Sequence, residues 1–585
     1  MATTRDVLAM LSELVTLTAL DEGSPQSFKV RAYEKAGLAL QSDGRDITTL
    51  KMSELVKIDG VGKATASKIL EFVETGSVEK LDRLRALYPP DFVELSRIPG
   101  VGPKTLALMR SELGIENVEM LKTAIAEEKL QSLAGLGAAS EAKISKAIER
   151  LGMTGKDRRT PIADALPLAE RLVDDLANLP ETQDVRFCGS LRRMSETIGD
   201  IDITVASFSP EKVMAFVVSH HEVQELVVNG KTKTSFLTAG GLQVDVRVVA
   251  PEQYGAATLY FTGSKAHNIA LRQRAIDRGM LLNEYGLIDT SNADLNGDDR
   301  PVVASATEAE IYSALDLPYV PAPLREATGE VVAAAEGALP ELIERRHIRG
   351  DLHYHTNRSG DGRSSVEDMV KAAHDSGYDY LAITDHGVDL AINGSTAEEM
   401  LEHRSHIAEV AASYPDMTIL WGCELNIGAT GGLDYDADFR ALFDYTVASV
   451  HSHYDQSVTS QTDRLIAAIA DPTVNSIGHL TGRYIGRRPG IEIDYDVMID
   501  ALIEYDVALE VNGALQRLDA ASDVVRKAVA RDVKLVINTD SHHTSELGRM
   551  EYGVRTAQRG WAPRDLVVNS WDKATFLDWC QPAAE

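Results

Sequence analysis

The sequence predicts a multidomain chain: an all-α N-terminal region, a central α+β segment and a C-terminal α/β barrel. Three observations predict it. Gly-x-Gly turns recur ahead of helical stretches over residues 1–155. Between about 183 and 250 the pattern changes to strands, in DVRFCGSLRR, IGDIDITVA and LQVDVRVVA. From 346 to 580 short apolar strands alternate with helical stretches such as SSVEDMVKAAHDSG, the mark of an α/β layer or barrel. The 585 residues, 44% of them hydrophobic, suit three to five ordinary globular domains.

Composition excludes several classes. No run of 18 apolar residues occurs, so no membrane partner is expected. The opening MATTRDVLAM sets Arg5 and Asp6 where a secretion signal needs its apolar core. The three cysteines (Cys188, Cys423, Cys580) are odd in number and far apart, which fits a cytoplasmic setting rather than a disulfide framework. A net charge of −30 argues against nucleic acid, but residues 1–160 hold 23 Lys+Arg and 23 Asp+Glu, so the excess acid lies downstream. DNA bound there would be held in a salt-sensitive way.

The N-terminal elements are three related segments: KIDGVGKATASKI (57–69), RIPGVGPKTLALM (97–109) and SLAGLGAASEAKI (132–144). Their spacing could suggest a solenoid, but the intervening segments differ, which favours compact helical domains. A helix opened by glycines offers backbone N–H groups to an anion, and glycines admit a phosphate closely. Gly60 and Gly62 with Lys63, and Gly100 and Gly102 with Lys104, have this form; Gly135 and Gly137 are a weaker copy. One copy could be a corner without a ligand. Three point to DNA binding, and they resemble helix-hairpin-helix motifs, which hold DNA by its backbone.

The central segment carries GSLRRMSETIGDIDI (189–203). Asp200 and Asp202, two apart on a strand, share a face and repel each other unless cations lie between them. Asp245, in QVDVRV, is on another predicted strand. Three strand carboxylates suit two Mg²⁺ ions; the alternative is solvated aspartates on an edge strand.

Residues 1–318 resemble family X DNA polymerases, on GSLRRMSETIGDID, VDVRVVAPEQYGAATLYFTGS, Asn268, Arg272 and Asn283-Glu284-Tyr285. The resemblance implies a helical lyase-like DNA-binding domain (1–80), helix-hairpin-helix fingers (81–155), an α+β nucleotidyltransferase palm (156–250) and a nucleotide-selecting thumb (251–320), after which an Ala/Glu-rich composition suggests a helical linker (321–345). It implies that Asp200 and Asp202 bridge two Mg²⁺ or Mn²⁺ ions and that Asp245 holds the one activating the primer 3′-hydroxyl. Ser190, Arg193 and Gly199 would contact an incoming deoxynucleoside triphosphate. Tyr260, Phe261 and Gly263 would pack on its sugar, Asn268 would touch its base, and Arg272 would reach the template. Arg247 matches an arginine near the carboxylates. Lys265 departs from the pattern, where an acidic residue is common. Lys68, with Lys35 and Tyr33 nearby in the pattern, matches a Schiff-base lyase nucleophile; equally, it only meets a phosphate or solvent.

The C-terminal strands end in His353, His355 and Asp361, His386, Glu424, His451, His479, and Asp540 and His542. One histidine after a strand is ordinary; nine candidates at successive strand ends point to a metal cluster. Imidazole mixed with carboxylate suits Mn²⁺, Zn²⁺ or Fe²⁺ and poorly suits Mg²⁺ alone. Residues 345–560 closely resemble the polymerase-and-histidinol-phosphatase (PHP) domain, with all nine ligand positions of its three-metal site. That implies a distorted (β/α)7 barrel that hydrolyses phosphoesters without a protein nucleophile. Asp385, His453 and His543 adjoin ligands as supporting or surface groups; His374, His403 and His406, on predicted helices, are assigned no role. Arg358, Arg483, Arg487 and Arg488, with Tyr484, form a basic rim for a polynucleotide or a solvated loop.

Together these features predict a monomeric, bacterial-type repair polymerase that fills gaps in primed duplex DNA. Its barrel would act as a Mn²⁺-dependent 3′→5′ exonuclease and 3′-phosphodiesterase, with cleavage at abasic sites as an extension. The alternatives are a fused small-molecule phosphatase of histidinol-phosphate type, or a non-catalytic repair scaffold. The Gly-x-Gly hairpins argue against the first and the intact carboxylates against the second.

Overall fold

Short helices with one apolar face are marginal alone and must share a core. In the computed structural model, helices Thr4–Asp21, Phe28–Asp43, Lys63–Thr75, Glu79–Leu87, Pro103–Leu113 and Val118–Ala126 do so. The structure describes residues 4–580 apart from 25–26, 44, 46, 59, 97, 99–100, 134, 139, 143, 146–147, 149–158, 293–299 and 391–393. The expected hairpin residue Gly100 therefore lies outside the described residues. One apolar cluster runs from Val7 to Ile148, across the boundary expected near residue 80. Helix Thr4–Asp21 joins the two parts by packing on both Glu79–Leu87 and Pro103–Leu113.

The central segment has a small pair, β1 (Thr160–Pro161) with β3 (Thr197–Ile198), and a five-stranded sheet. The sheet holds β2 (Asp184–Phe187), β4 (Asp200–Ala206), β5 (Glu225–Asn229), β6 (Lys233–Leu237) and β7 (Gln243–Val249), in the order β2-β4-β7-β6-β5. Only β4 and β7 pair in parallel. Helix Ile162–Ala177 packs its apolar face, Ala165, Leu166, Ala169 and Leu172, into the core beneath the sheet. An antiparallel sheet of β8 (Met280–Asn283), β9 (Gly286–Asp289) and β10 (Val302–Ala304) follows.

The stretch expected as a linker is instead built into this third unit. Its only α-helix among the described residues is Glu330–Glu336. Val320, Leu324 and Ala334 join the local core. Arg325 and Glu330 are fully buried: Arg325 pairs with Glu308 at 2.6 Å and Glu330 with His267 at 2.6 Å. Alanine and glutamate suggest an exposed helix only while their partners are unknown.

The C-terminal unit is a nearly closed, all-parallel barrel of β11 (Gly350–Tyr354), β12 (Tyr380–Ile383), β13 (Thr418–Asn426), β14 (Tyr445–Ser449), β15 (Ser476–Gly478), β16 (Ala508–Asn512) and β17 (Leu535–Asn538). Neighbours in the sheet are neighbours in the chain. A bridge from Tyr354 to Ser541, with the His355 N–H donating to the Ser541 carbonyl at 2.9 Å, returns the last strand to the first. The barrel packs on the central sheet unit: Leu518 lies in that unit's core, with Ile485, Leu515 and Tyr552 against it. Gly486 (φ +75°) meets Pro161 so closely that a Cβ would fall 2.7 Å from its Cγ.

Candidate active sites

The first site is a product of strand register. Asp202 on β4 lies opposite Asp245 on β7, and Asp200 opposite Gln243. Strand alternation turns Asp200 and Asp202 to one face while Ile201, Ile203, Val244 and Val246 are buried on the other. Burial pushes the Asp202 carboxyl up to about 7, and Asp200 and Asp245 beside it add to the push. Burial also raises Asp245, but hydrogen bonds from Lys233, Gln243 and Ser235 outweigh it and hold that carboxyl below its ordinary value. Lys233 Nζ stands 2.9 Å from Asp245 Oδ2, and Gln243 Nε2 2.8 Å from Oδ1. Three crowded carboxylates with a surplus of negative charge fit divalent cations that favour oxygen donors.

The chain enters this site through Gly189, whose φ of +62° opens the short helix Gly189–Arg192. A Cβ there would stand 2.6 Å from Asp202 Oδ2, so the carboxylate's position requires glycine. Ser190 is on that helix, and Gly199 immediately precedes β4. The two adjacent arginines have separate tasks. Arg192, half-buried, pairs with Glu308 at 2.7 Å, whereas Arg193 pairs with Glu326 at 2.9 Å and donates to the Thr262 carbonyl. Tyr260 and Phe261 end helix Tyr254–Thr262, which Gly263 caps at φ +66°. Asn268 donates to the Tyr260 carbonyl at 2.7 Å, Arg272 lies 5.8 Å from the Tyr260 ring, and both line one pocket with Leu259 and Asn283. Arg247 lies 4.4 Å from the Phe261 ring, and Lys265 is exposed at the start of its helix.

The hairpins share a backbone signature. The residue between the two glycines donates its N–H three residues back: Val61 to Ile58 (3.0 Å), Val101 to Ile98 (2.9 Å) and Leu136 to Leu133 (3.0 Å). Gly62 and Gly102 cap helices Lys63–Thr75 and Pro103–Leu113, and both glycines, Lys63 and Lys104 are exposed. First-turn N–H groups have no partner within a helix, so these ends suit a phosphate. Gly60 (φ +98°) backs onto Lys35, and an open cavity of about 680 Å³ is lined by Phe28, Arg31, Lys35, Lys57, Gly60 and Gly62. Lys68 is half-buried and donates to the Ala64 carbonyl at 3.2 Å. Tyr33 is buried, with its hydroxyl 3.3 Å from Lys80 Nζ.

The second site gathers all nine expected groups at the C-terminal end of the barrel. Glu424 is central. Its Oε1 is 2.9 Å from His479 and 3.2 Å from His451; its Oε2 is 2.9 Å from His386, 3.4 Å from His355 and 3.5 Å from His353. Asp540 Oδ1 is 3.4 Å from His355, and Asp361 Oδ2 is 3.4 Å from both His386 and His542. Burial pushes His355 down to about 4, helped by His542 and His386. Burial also lowers His386, but Glu424 and Asp361 outweigh it and lift that ring to about 10.

Among the described residues, His353 Nε2, His355 Nε2, His386 Nδ1, His479 Nδ1 and Glu424 Oε1 are buried without a hydrogen-bond partner. Each such atom costs about 1–3 kcal/mol unless something else satisfies it. Three ligand groups each bring their atoms within 4.8 Å of one another: His355, His386, His542; His353, His355, Asp540; and His386, Glu424, His451. Unpaired imidazole nitrogens converging on carboxylates fit transition-metal cations.

The groups behind these ligands were largely missed in the sequence. Glu510 is fully buried and accepts from His353 Nδ1 (2.7 Å), the His479 N–H (2.6 Å) and Asn538 (2.9 Å). Its signal was a polar pair, Glu510 and Asn512, on one face of an apolar strand. Asp385 accepts from the Thr356 N–H and hydroxyl, the Ser359 hydroxyl and His403 Nε2 at 2.7 Å. The reading of His403 as idle is thus corrected: it sits on helix Ala397–Ala411, but on the buried face. His374 and His406 make surface pairs with Asp416 and Glu367. His453 gives its carbonyl to Gln461, and His543 caps the turn at Ser545. Arg517, also unforeseen, stands 3.6 Å from Asp540 and 4.6 Å from the Tyr484 ring. Of the expected rim, Arg483 pairs with Glu196 of the central unit at 2.8 Å, Arg488 packs on Tyr454 and Tyr484, Arg358 donates to the Glu399 carbonyl, and Arg487 is exposed.

Comparison with known proteins matches these parts in order. Residues 3–78 match a helix-hairpin-helix domain, 92–150 a SAM-like helix-hairpin-helix tandem, 257–326 the DNA polymerase beta thumb and 351–514 the PHP domain. The chain is similar over 37% of its length to a probable phosphatase of Caldicellulosiruptor bescii, 27% identical over 90% of that protein. A probable phosphatase of Acetivibrio thermocellus is 28% identical over 38% and 90%. The whole chain is similar to the DNA polymerase/3′-5′ exonuclease PolX of Bacillus subtilis, 36% identical over 97% of both chains. With carboxylates in register on the central sheet, histidines and acids clustered in the barrel and likeness across nearly its full length, the chain belongs to the PolX family of DNA polymerase/3′-5′ exonucleases.

Proposed function

We propose that the chain is a monomeric repair enzyme that fills short gaps in duplex DNA and trims 3′ ends, extending to 3′-phosphodiester blocks and abasic sites. The polymerase and exonuclease activities follow from the family. The observation that carries it is the register of Asp202 against Asp245, with Asp200 on the same face.

Asp200, Asp202 and Asp245 would hold two Mg²⁺ or Mn²⁺ ions, and the nine barrel groups would hold up to three Mn²⁺, Zn²⁺ or Fe²⁺ ions. When bound, such ions acidify a hydroxyl or water and neutralise charge on the phosphoryl group. The chain's own residues do the rest. Ser190, Arg193 and Gly199 bind the triphosphate; Tyr260, Phe261 and Gly263 shape the sugar site; Asn268 and Arg272 meet base and template. The hairpin glycines with Lys63 and Lys104 grip the DNA backbone on either side of a gap. In the barrel, Glu510 and Asp385 fix the tautomer and orientation of His353 and of the loop carrying His355.

Gap filling and abasic-site cleavage on matched duplexes test this reading. Asp245→Asn is expected to abolish filling alone, and His353→Ala to abolish both end trimming and abasic cleavage. Abasic cleavage that survives in His353→Ala contradicts the barrel's part in it.

A further inference from the structure

The palm segment that bears Arg193 is tied to the barrel at both ends. Past Met194, which sits at φ +62°, Glu196 pairs with Arg483 of the barrel at 2.8 Å. Before it, Arg559, the last residue of barrel helix Met550–Arg559, donates one guanidinium nitrogen to the Arg193 carbonyl at 2.8 Å. The same nitrogen reaches Glu326 Oε1, the oxygen that also takes Arg193 Nε at 2.9 Å. Two arginines, one from each catalytic unit, therefore share a single carboxylate oxygen.

That sharing has a direction. A carboxylate paired with Arg193 alone would compete with an incoming phosphate for the same guanidinium. A second cation on Glu326 weakens that hold and leaves Arg193 able to turn to a more highly charged partner. The carbonyl contact meanwhile keeps the Arg193 backbone in place. Burial alone raises Glu326, yet Arg559 and Arg193 outweigh it and keep it ionised, so both contacts are charge-assisted.

We infer that Arg559 is a positioning residue for the polymerase: by sharing Glu326, the exonuclease barrel sets how readily Arg193 binds the triphosphate of an incoming nucleotide. This rests on the triphosphate role proposed for Arg193, and a separate variant tests that role.

The experiment is steady-state gap filling by the full chain, with KM and kcat for the nucleotide measured separately and exonuclease activity measured alongside. Arg559→Ala is expected to raise KM about tenfold, the loss of one charge-assisted hydrogen bond, with kcat within about threefold. Exonuclease activity should be unchanged. Arg559→Gln, which keeps a donor but drops the charge, should also raise KM and stands in if the alanine variant folds poorly. Adding Glu326→Gln to Arg559→Ala removes the competitor and should return KM to within about threefold of the parent. An unchanged KM in both Arg559 variants, a fall in kcat alone, or no recovery in the double variant overturns the inference. Arg193→Ala separates the two levels. If it raises KM while the Arg559 variants do not, only the inference fails; if it leaves KM unmoved, the reading of Arg193 fails first.

Discussion

The two candidate cation sites gather their groups by different means. In the palm, three carboxylates come from two neighbouring strands, and their alignment needs only the local β4–β7 register. In the barrel, nine groups come from successive strands and loops, and they meet only because the sheet curls until Tyr354 bridges to Ser541. Each site has a cationic side chain beside an acid, Lys233 on Asp245 and Arg517 on Asp540, but the barrel groups are also backed by buried acids, Glu510 and Asp385. A site made by register depends on few residues and tolerates change around it. A site made by closure depends on everything that holds its ligands in place.

That difference is broken most severely at Glu424, which approaches five histidines. Glu424→Gln should lower exonuclease activity at least about 10³-fold with gap filling intact, measured on one DNA substrate. The next effect is on stability. Glu308 pairs with Arg192 and Arg325 where palm meets thumb. Glu308→Gln leaves the buried Arg325 and the half-buried Arg192 short of a charged partner and should cost about 3–5 kcal/mol at neutral pH in chemical unfolding. Burial raises Glu308, but Arg325 and Arg192 outweigh it and hold it at about 2. Its stabilisation is therefore present above about pH 4.5 and is lost as pH falls toward 2. The gap between parent and variant should narrow over that window.

Supporting groups should matter more in the barrel. Glu510→Gln should cost about 10–100-fold in exonuclease activity or Mn²⁺ affinity, whereas Lys233→Gln should alter extension less than tenfold. Equal losses would erase the contrast. The smallest effect is a pH dependence. Asp202, lifted to about 7 by burial and its acidic neighbours, must lose a proton to bind a cation. Mg²⁺ affinity of the palm, followed by calorimetry, should rise up to about tenfold per pH unit below 7 and flatten above it. A flat profile in the parent contradicts the raised carboxyl.

The sequence made register legible and closure only partly so. Asp200-Ile201-Asp202 shows a shared face directly, because strand alternation is a rule of two residues. The nine barrel groups were visible because each follows an apolar strand. Their supporters were not: Glu510 reads as one acid in an apolar run, and His403 as one polar residue on a helix, until the fold shows which face is buried. The Ala/Glu-rich stretch after 325 failed for the same reason. Arg325 and Glu330 look solvated until Glu308 and His267, distant in sequence, are set beside them. Contacts between units, such as Arg559 with Glu326, leave no local pattern at all.

The most direct test of two independent sites uses one 5′-labelled primer in a gapped duplex, incubated with nucleotides and Mn²⁺. Asp202→Asn should only shorten the primer, and Glu424→Gln should only lengthen it. Extension that persists in Asp202→Asn, or either variant losing both reactions while still folded, would contradict the account.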